Sequence, residues 1–381
     1  MKITVNKLVL FGLTLNCLSF YNITLFNTYS TICYYLNLML VFLIIFSHIV
    51  GSKKNMIGTK IIYIMLFCFY LLMSIILSGG GVGSVLTMIY SMMVYVVYSV
   101  INFSKKDMKY LFFIFLFMSI YIFIKSFGYF EIFISDKYGY INTNTMGMVA
   151  FFSLIYNMIF YKYLYKKYTH IFYFLQIVMC FISLVNYECR GSLISMIFFV
   201  ACFLFVKKNI WYKKKFVLLF FIIIVSIGTI FPFIYSNMYL NHVYFEIPFL
   251  HKGLYTGREV IWINTISIFK NSSVKWLTGI GSNSIVWTND MNLHNNYFAV
   301  ITNFGFLGYA FYYGFIFFQI NKGLKAIDSI HIDLLIGLFS ILILSYVEIV
   351  TLWETMFLIN ILIIGLYSNP SLSLIFQGKE G

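Results

Sequence analysis

Charge is scarce in this sequence: 10% of its 381 residues are Asp, Glu, Lys or Arg, and only 12 are acidic. Proline is scarcer still, with three in the chain. A soluble globular domain, in which about a quarter of residues are charged, is thereby excluded. The six cysteines at 17, 33, 68, 180, 189 and 202 form no CxxC pair and have no histidine at ligand spacing. Neither a disulfide frame nor a zinc site is expected. The chain also lacks the paired Asp-x-Asp that holds a metal-bound nucleotide sugar, so no metal and no cofactor is expected. Arginine is almost missing: 24 lysines stand against two arginines, Arg190 and Arg258.

What fills the chain is apolar surface. Hydrophobic residues make up 61% and aromatic residues 21%, and the mean hydropathy is +0.90. A spanning helix needs about 20 mostly apolar residues, because hydrocarbon offers its backbone no hydrogen-bond partner. Apolar runs between polar breaks predict spans near 7–26, 30–50, 61–78, 85–103, 110–127, 145–161, 171–188, 192–206, 216–235, 296–320, 330–347 and 355–368. The expectation is an all-α polytopic membrane protein of about twelve helices, a single membrane domain over 1–381 with both termini on one side. Residues 1–7 are mildly basic and lead into an apolar run with no small-residue cleavage site, which reads as an uncleaved first helix.

The formal net charge of +14 could point to nucleic acid, but its distribution points to topology. With the amino terminus inside, 19 of the 26 basic residues fall on one side, in clusters such as Lys53 and Lys54, Lys105 and Lys106, and Lys213 to Lys215. That is the positive-inside pattern, and nucleic acid is not expected as a partner. Both arginines fall on the opposite side.

One connection, 236–295, is long and polar, and the same argument puts it outside. Long loops usually carry function. Within it Thr256-Gly257-Arg258-Glu259 matches the S/T-x-x-E capping box, predicting a short helix from 257 to about 270. Arg258, Trp262, Ile266 and Phe269 share one face of that helix, which is expected to lie along the membrane interface with Arg258 turned to lipid headgroups or substrate. Cys189-Arg190-Gly191-Ser192 reads as a tight outer turn with Ser192 as N-cap, so that free amides and the helix dipole make an anion site beside the guanidinium. Arginine presents a planar fork that grips phosphate oxygens. The alternative is that the two arginines anchor helix ends to lipid phosphates.

Leu293-His294-Asn295-Asn296-Tyr297 precedes another predicted helix at its outer end. Eleven residues on, Gly305 and then Gly308 offer a small-residue strip on the same face as His294, about 16 Å deeper, where another helix can approach. A histidine at a membrane interface is more often structural than chemical. Glu348 and Glu354 flank a later outer turn, either as contacts to sugar hydroxyls, as a base, or as solvated loop acids. Trp262, Trp276, Trp287 and Trp353 are also outside, where stacking on sugars competes with an ordinary aromatic belt. Cys189 reads as inert packing. The run Gly79-Gly80-Gly81-Val82-Gly83 lacks the Lys-Ser/Thr of a nucleotide loop and reads as a turn.

These residues together resemble the O-antigen polymerase and ligase superfamily, which includes the Wzy-type polymerases of surface polysaccharides. The resemblance rests on His294-Asn295 followed by Gly305-x-x-Gly308, on the Arg190-Gly191 turn, and on Gly257-Arg258 with Gly279-Ile280-Gly281 beyond it. It covers about 185–310. The resemblance implies a metal-independent glycosyltransferase that joins polyprenyl-pyrophosphate-linked oligosaccharide units, of O-antigen or capsule type, on the outer face of a bacterial cytoplasmic membrane. Arg190 and Arg258 would hold the pyrophosphate and His294 would act at the reacting centre. Asn295, Tyr297, Trp262 and Glu348 would contact substrate, and Gly191, Gly257, Gly305 and Gly308 would shape the backbone. Membrane lipids, a chain-length regulator and a flippase of the same pathway are the partners this implies. A ligase moving finished glycan to a lipid A core is the alternative, and a lipid-linked oligosaccharide flippase is a more distant one.

Overall fold

The computed structural model describes residues 10–14, 58–78, 82–127, 143–165, 167–243, 246–247, 252–253, 255, 257–281, 293–325, 327–350 and 357–376, together with Lys7 and Met39. They form α1 (Gly58–Ser78), α2 (Val82–Val100), α3 (Lys105–Lys125), α4 (Thr143–Leu164), α5 (Thr169–Asn186), α6 (Arg190–Leu204), a single turn α7 (Lys208–Trp211) and α8 (Lys214–Leu240). Beyond these come a two-residue antiparallel ladder, β1 (Glu246–Ile247) with β2 (Lys252–Gly253), and then α9 (Arg258–Lys270), α10 (Ser273–Thr278), α11 (Asn296–Gly323), α12 (Ser329–Leu344), α13 (Phe357–Tyr367) and α14 (Leu372–Phe376). Ten of the predicted spans coincide with described helices; those near 7–26 and 30–50 lie almost wholly outside the described residues.

Among the described residues the fold is all-α apart from that ladder, and five helices, α3, α4, α5, α8 and α11, are long and apolar enough to cross a membrane. Helices α4 and α12 are buried all round and lie at the centre: every residue from Thr145 to Phe160 is buried, as are nearly all of Ile330 to Leu344. The outer helices expose apolar side chains, such as Phe113, Phe117, Ile120 and Ile124 on α3 and Leu219, Ile223, Ile227, Ile230 and Ile234 on α8. A surface of this kind is stable only against hydrocarbon, since in water each exposed side chain forfeits about 1.5–3 kcal/mol of burial. Helix α3 runs along α4, α2 along α13, and α12 along α6.

Two backbone breaks shape one half of the bundle. Pro232 lies inside α8 and has no amide hydrogen, so the carbonyl of Gly228 loses its helical donor. Asn295 supplies the replacement, its Nδ2 donating to that carbonyl over 3.1 Å. Gly228 has no side chain, and the rings of Tyr297 and Tyr346 fill the space a Cβ would take.

The second break is Gly305, at φ 65° and ψ −175° in the middle of α11. The expected continuous helical strip is corrected here: Gly305 interrupts the helix and so breaks the regular spacing from His294. The chain leaving α10 crosses the gap. Ile280 donates its amide to the Thr302 carbonyl over 2.7 Å, and Tyr70 donates to the carbonyls of Phe304 and Leu277 over 2.5 and 3.3 Å. Gly279, at φ 84°, and Gly305 let the two backbones touch, because a Cβ on either would overlap main-chain atoms of the other segment.

A buried ionic cluster closes the opposite end of the bundle. Asp333, fully buried in α12, takes Lys162 at 2.6 Å and Lys208 at 2.9 Å, and it accepts the Tyr163 hydroxyl at 2.5 Å. Asp328 caps α12 through the His331 amide. Burial opposes ionisation of Asp328, but its bonds to the His331 ring and to the amides of Ile330 and His331 outweigh that and hold the carboxyl below its ordinary value.

Candidate functional site

At the far end of α12, about 24 Å along its 16 residues, the turn Ser345 to Val350 serves as a hub on which three other segments converge. The 293–296 segment is tied to it directly. Asn296 donates its amide to the Ser345 carbonyl over 2.9 Å and accepts the Val350 amide at 3.2 Å. Asn295 donates to the Tyr346 carbonyl over 2.8 Å, while its own Oδ1 caps α11 through the Phe298 amide at 2.7 Å. The turn carrying Arg190 docks on the same hub, because Gly191 has no Cβ and Val347 occupies the space. Arg258 reaches it through Glu348, with Nη2 to Oε1 at 2.9 Å.

His294 is held from both sides. It has φ 50°, a left-handed conformation that histidine adopts more readily than most side chains. Before it, the buried Leu293 carbonyl accepts the Trp262 indole N–H at 2.5 Å; after it comes the buried cap Asn295. Between these fixed points the imidazole faces Glu348, with Nδ1 3.6 Å from Oε2. Arg190 opens α6 after a turn in which Glu188 is left-handed at φ 53°. Its guanidinium lies within electrostatic reach of Arg258, Tyr235 and Glu188, and Tyr235 in turn feels Arg190, Arg258 and Glu259.

The expected arginines and histidine are thus brought to one hub, and Glu348 joins them. Glu348 is 6% exposed and ion-paired, which corrects its reading as a solvated loop acid. Glu354 lies outside the described residues. Three expected substrate contacts are spent on structure instead. Asn295 is buried and fully engaged as described. Tyr297 is buried and donates to the Leu342 carbonyl over 2.8 Å. Trp262 is 1% exposed, with its ring against Phe231 and Tyr235, so neither face is open to a sugar.

The local caps also differ from expectation. Helix α6 starts two residues before the expected Ser192, which is buried in its first turn, and Cys189 takes the cap position. Its Sγ donates to the Thr143 carbonyl over 3.2 Å and packs on Gly147. Helix α9 begins at Arg258 with Gly257 as its cap, at φ 91°, a conformation that favours glycine. Glu259 accepts the amide of the Gly257 cap at 2.9 Å, from the second helical position and not from the third as in the expected box; Thr256 lies outside the described residues. The Trp262 and Phe269 face of α9 packs against protein, around Phe231, Trp276 and Phe298, and not against the membrane interface.

The sequence reading missed Glu259, buried beside Arg258, and Tyr235 on α8. Glu259 was readable as a helix cap, but nothing in the sequence announced its burial. Chemically, two guanidiniums within mutual reach disfavour each other until an anion comes between them, and both present forks suited to phosphate. A neutral imidazole beside them can accept a proton. Among the described residues no group of three or more His, Cys, Asp or Glu is assembled as a metal site. Comparison with protein-family models, with curated proteins and with solved structures finds no match to this chain.

Proposed function

We propose that this membrane protein is a glycosyltransferase that polymerises oligosaccharide repeat units carried on polyprenyl pyrophosphate, at the outer face of a bacterial cytoplasmic membrane. The observation that carries the reading is the meeting of Arg190, Arg258 and His294 around one turn, at the end of α12 opposite the lysine-bound Asp333. Its likeness to O-antigen and capsule polymerases in the Arg190-Gly191, Gly257-Arg258 and His294-x10-Gly305 motifs supports the same reaction. The site needs no metal in this account, because two guanidiniums supply the charge that a pyrophosphate leaving group requires.

In the reaction an acceptor hydroxyl attacks the anomeric carbon of the donor sugar. The bond from that carbon to the pyrophosphate oxygen breaks, and the departing electron pair stays on polyprenyl pyrophosphate, held by Arg190 and Arg258. The hydroxyl proton passes to His294. A single displacement inverts the anomeric centre. A flippase and a chain-length regulator would supply the substrate and set the product size.

Purified protein in lipid vesicles, given polyprenyl-pyrophosphate repeat units, should yield a ladder spaced by one repeat, with inverted linkages. Transfer of one preformed glycan to an added lipid A core, with no ladder, would identify a ligase. Movement of the lipid-linked sugar without a new glycosidic bond would identify a flippase.

A further inference from the structure

Glu348 faces both a guanidinium and the imidazole. One carboxylate oxygen takes Arg258 at 2.9 Å, and the other faces His294 Nδ1 at 3.6 Å. The second distance is that of an ion pair and slightly beyond a formed hydrogen bond. The carboxylate cannot turn away easily. Its backbone amide donates to Leu344, the flanking Val350 and Ser345 are both tied to Asn296, and its side chain is 8% exposed.

An ionised carboxylate only accepts hydrogen bonds. The ring nitrogen facing it must therefore carry the proton of a neutral imidazole, and the lone pair then lies on Nε2. The arginine is fixed by one nitrogen, which leaves the remaining donors of its fork for a phosphate. Resting on the glycosyl-transfer reading above, we infer that Glu348 is a positioning residue: it orients His294 with Nε2 as the proton acceptor, and it aims the Arg258 fork at the leaving pyrophosphate. It does not bind sugar.

Glu348→Gln tests this with little change of shape. Arg258 would retain the amide oxygen, so the amide NH2 would face Nδ1 and donate to it. That reverses the tautomer and leaves Nε2 protonated and unable to accept. The readout is the nitrogen spectrum of protein labelled with ¹⁵N in its histidine rings, with the His294 signal identified by its loss in His294→Asn. The expected result is an Nδ1–H ring in the wild type and an Nε2–H ring in Glu348→Gln. Polymerisation in the variant should fall about 100-fold in kcat, with KM for the lipid-linked unit changed less than about threefold.

An Nε2–H ring in the wild type overturns the inference even if the variant does not fold, as does an unchanged tautomer in a folded variant. A tautomer that reverses as expected, in a protein that makes no glycosidic bond, would leave the role of Glu348 in orienting His294 standing. It would refute the polymerase reading instead.

Discussion

Replacing Gly305 with alanine separates a broken α11 from a continuous one by the sign of the effect. Were α11 regular at this point, Gly305→Ala would stabilise the helix by about 0.5–1 kcal/mol, because alanine loses less backbone entropy on folding. The observed φ of 65° with ψ −175° lies in a region open almost only to glycine, and forcing another residue there costs about 1–3 kcal/mol. The new methyl would also overlap the Leu277 carbonyl and the Thr278 amide nitrogen, adding about 1–3 kcal/mol of overpacking. The sum is a loss of about 2–6 kcal/mol. Relief by shifting α10 would break the Ile280 to Thr302 bond and the Tyr70 bond to Leu277. Gly308→Ala is the control, since that glycine is helical and its Cβ would meet chiefly the Phe304 and Tyr70 side chains. Unfolding in mixed micelles by a denaturing detergent gives both values. A Gly305→Ala protein as stable as wild type, or more so, would refute the break.

Two further substitutions act at opposite ends of α12. Asp333→Ala removes the carboxylate shared by Lys162, Lys208 and the Tyr163 hydroxyl, of which the last two keep Ser329; the lysines are 27% and 30% exposed, so part of the usual penalty is screened, and the same unfolding titration should show a loss of about 2–3 kcal/mol. Polymerisation by the folded fraction should be unaffected, because the cluster is remote from Arg190 and His294. Gly191→Ala pushes a methyl into Val347; it should cost about 1–3 kcal/mol and, by shifting the turn that holds Glu348, lower polymerisation per folded molecule at least tenfold.

Helix positions were legible because apolar runs of spanning length dominate the chain, and every described helix that matches a predicted span begins within about five residues of it. Helix ends were less so. Ser192 has the chemistry of a cap, yet the α6 entrance is set by burial of Cys189 against Gly147, a contact 42 residues away in sequence. The eleven-residue spacing from His294 to Gly305 suggested one helix face, while the glycine serves a backbone crossing with α10 that only tertiary structure reveals. Trp262, Asn295 and Tyr297 have side chains suited to sugars, but Pro232 leaves a carbonyl that Asn295 must satisfy, and Trp262 must fix Leu293. The two arginines and the histidine were visible from residue type alone. Their common support, the Ser345 to Val350 turn, was not, because most of its links are bonds to its main-chain atoms and a missing Cβ.

The measurement that bears most directly on the central claim is product analysis for wild type beside Arg190→Lys and His294→Ala in vesicles loaded with polyprenyl-pyrophosphate repeat units. The account predicts a ladder with one polyprenyl pyrophosphate released per linkage in the wild type. It predicts at least a 100-fold loss in each variant, since lysine lacks the planar fork and alanine cannot accept the proton. Full ladders from both variants, in equally stable proteins, would contradict the assignment of this site.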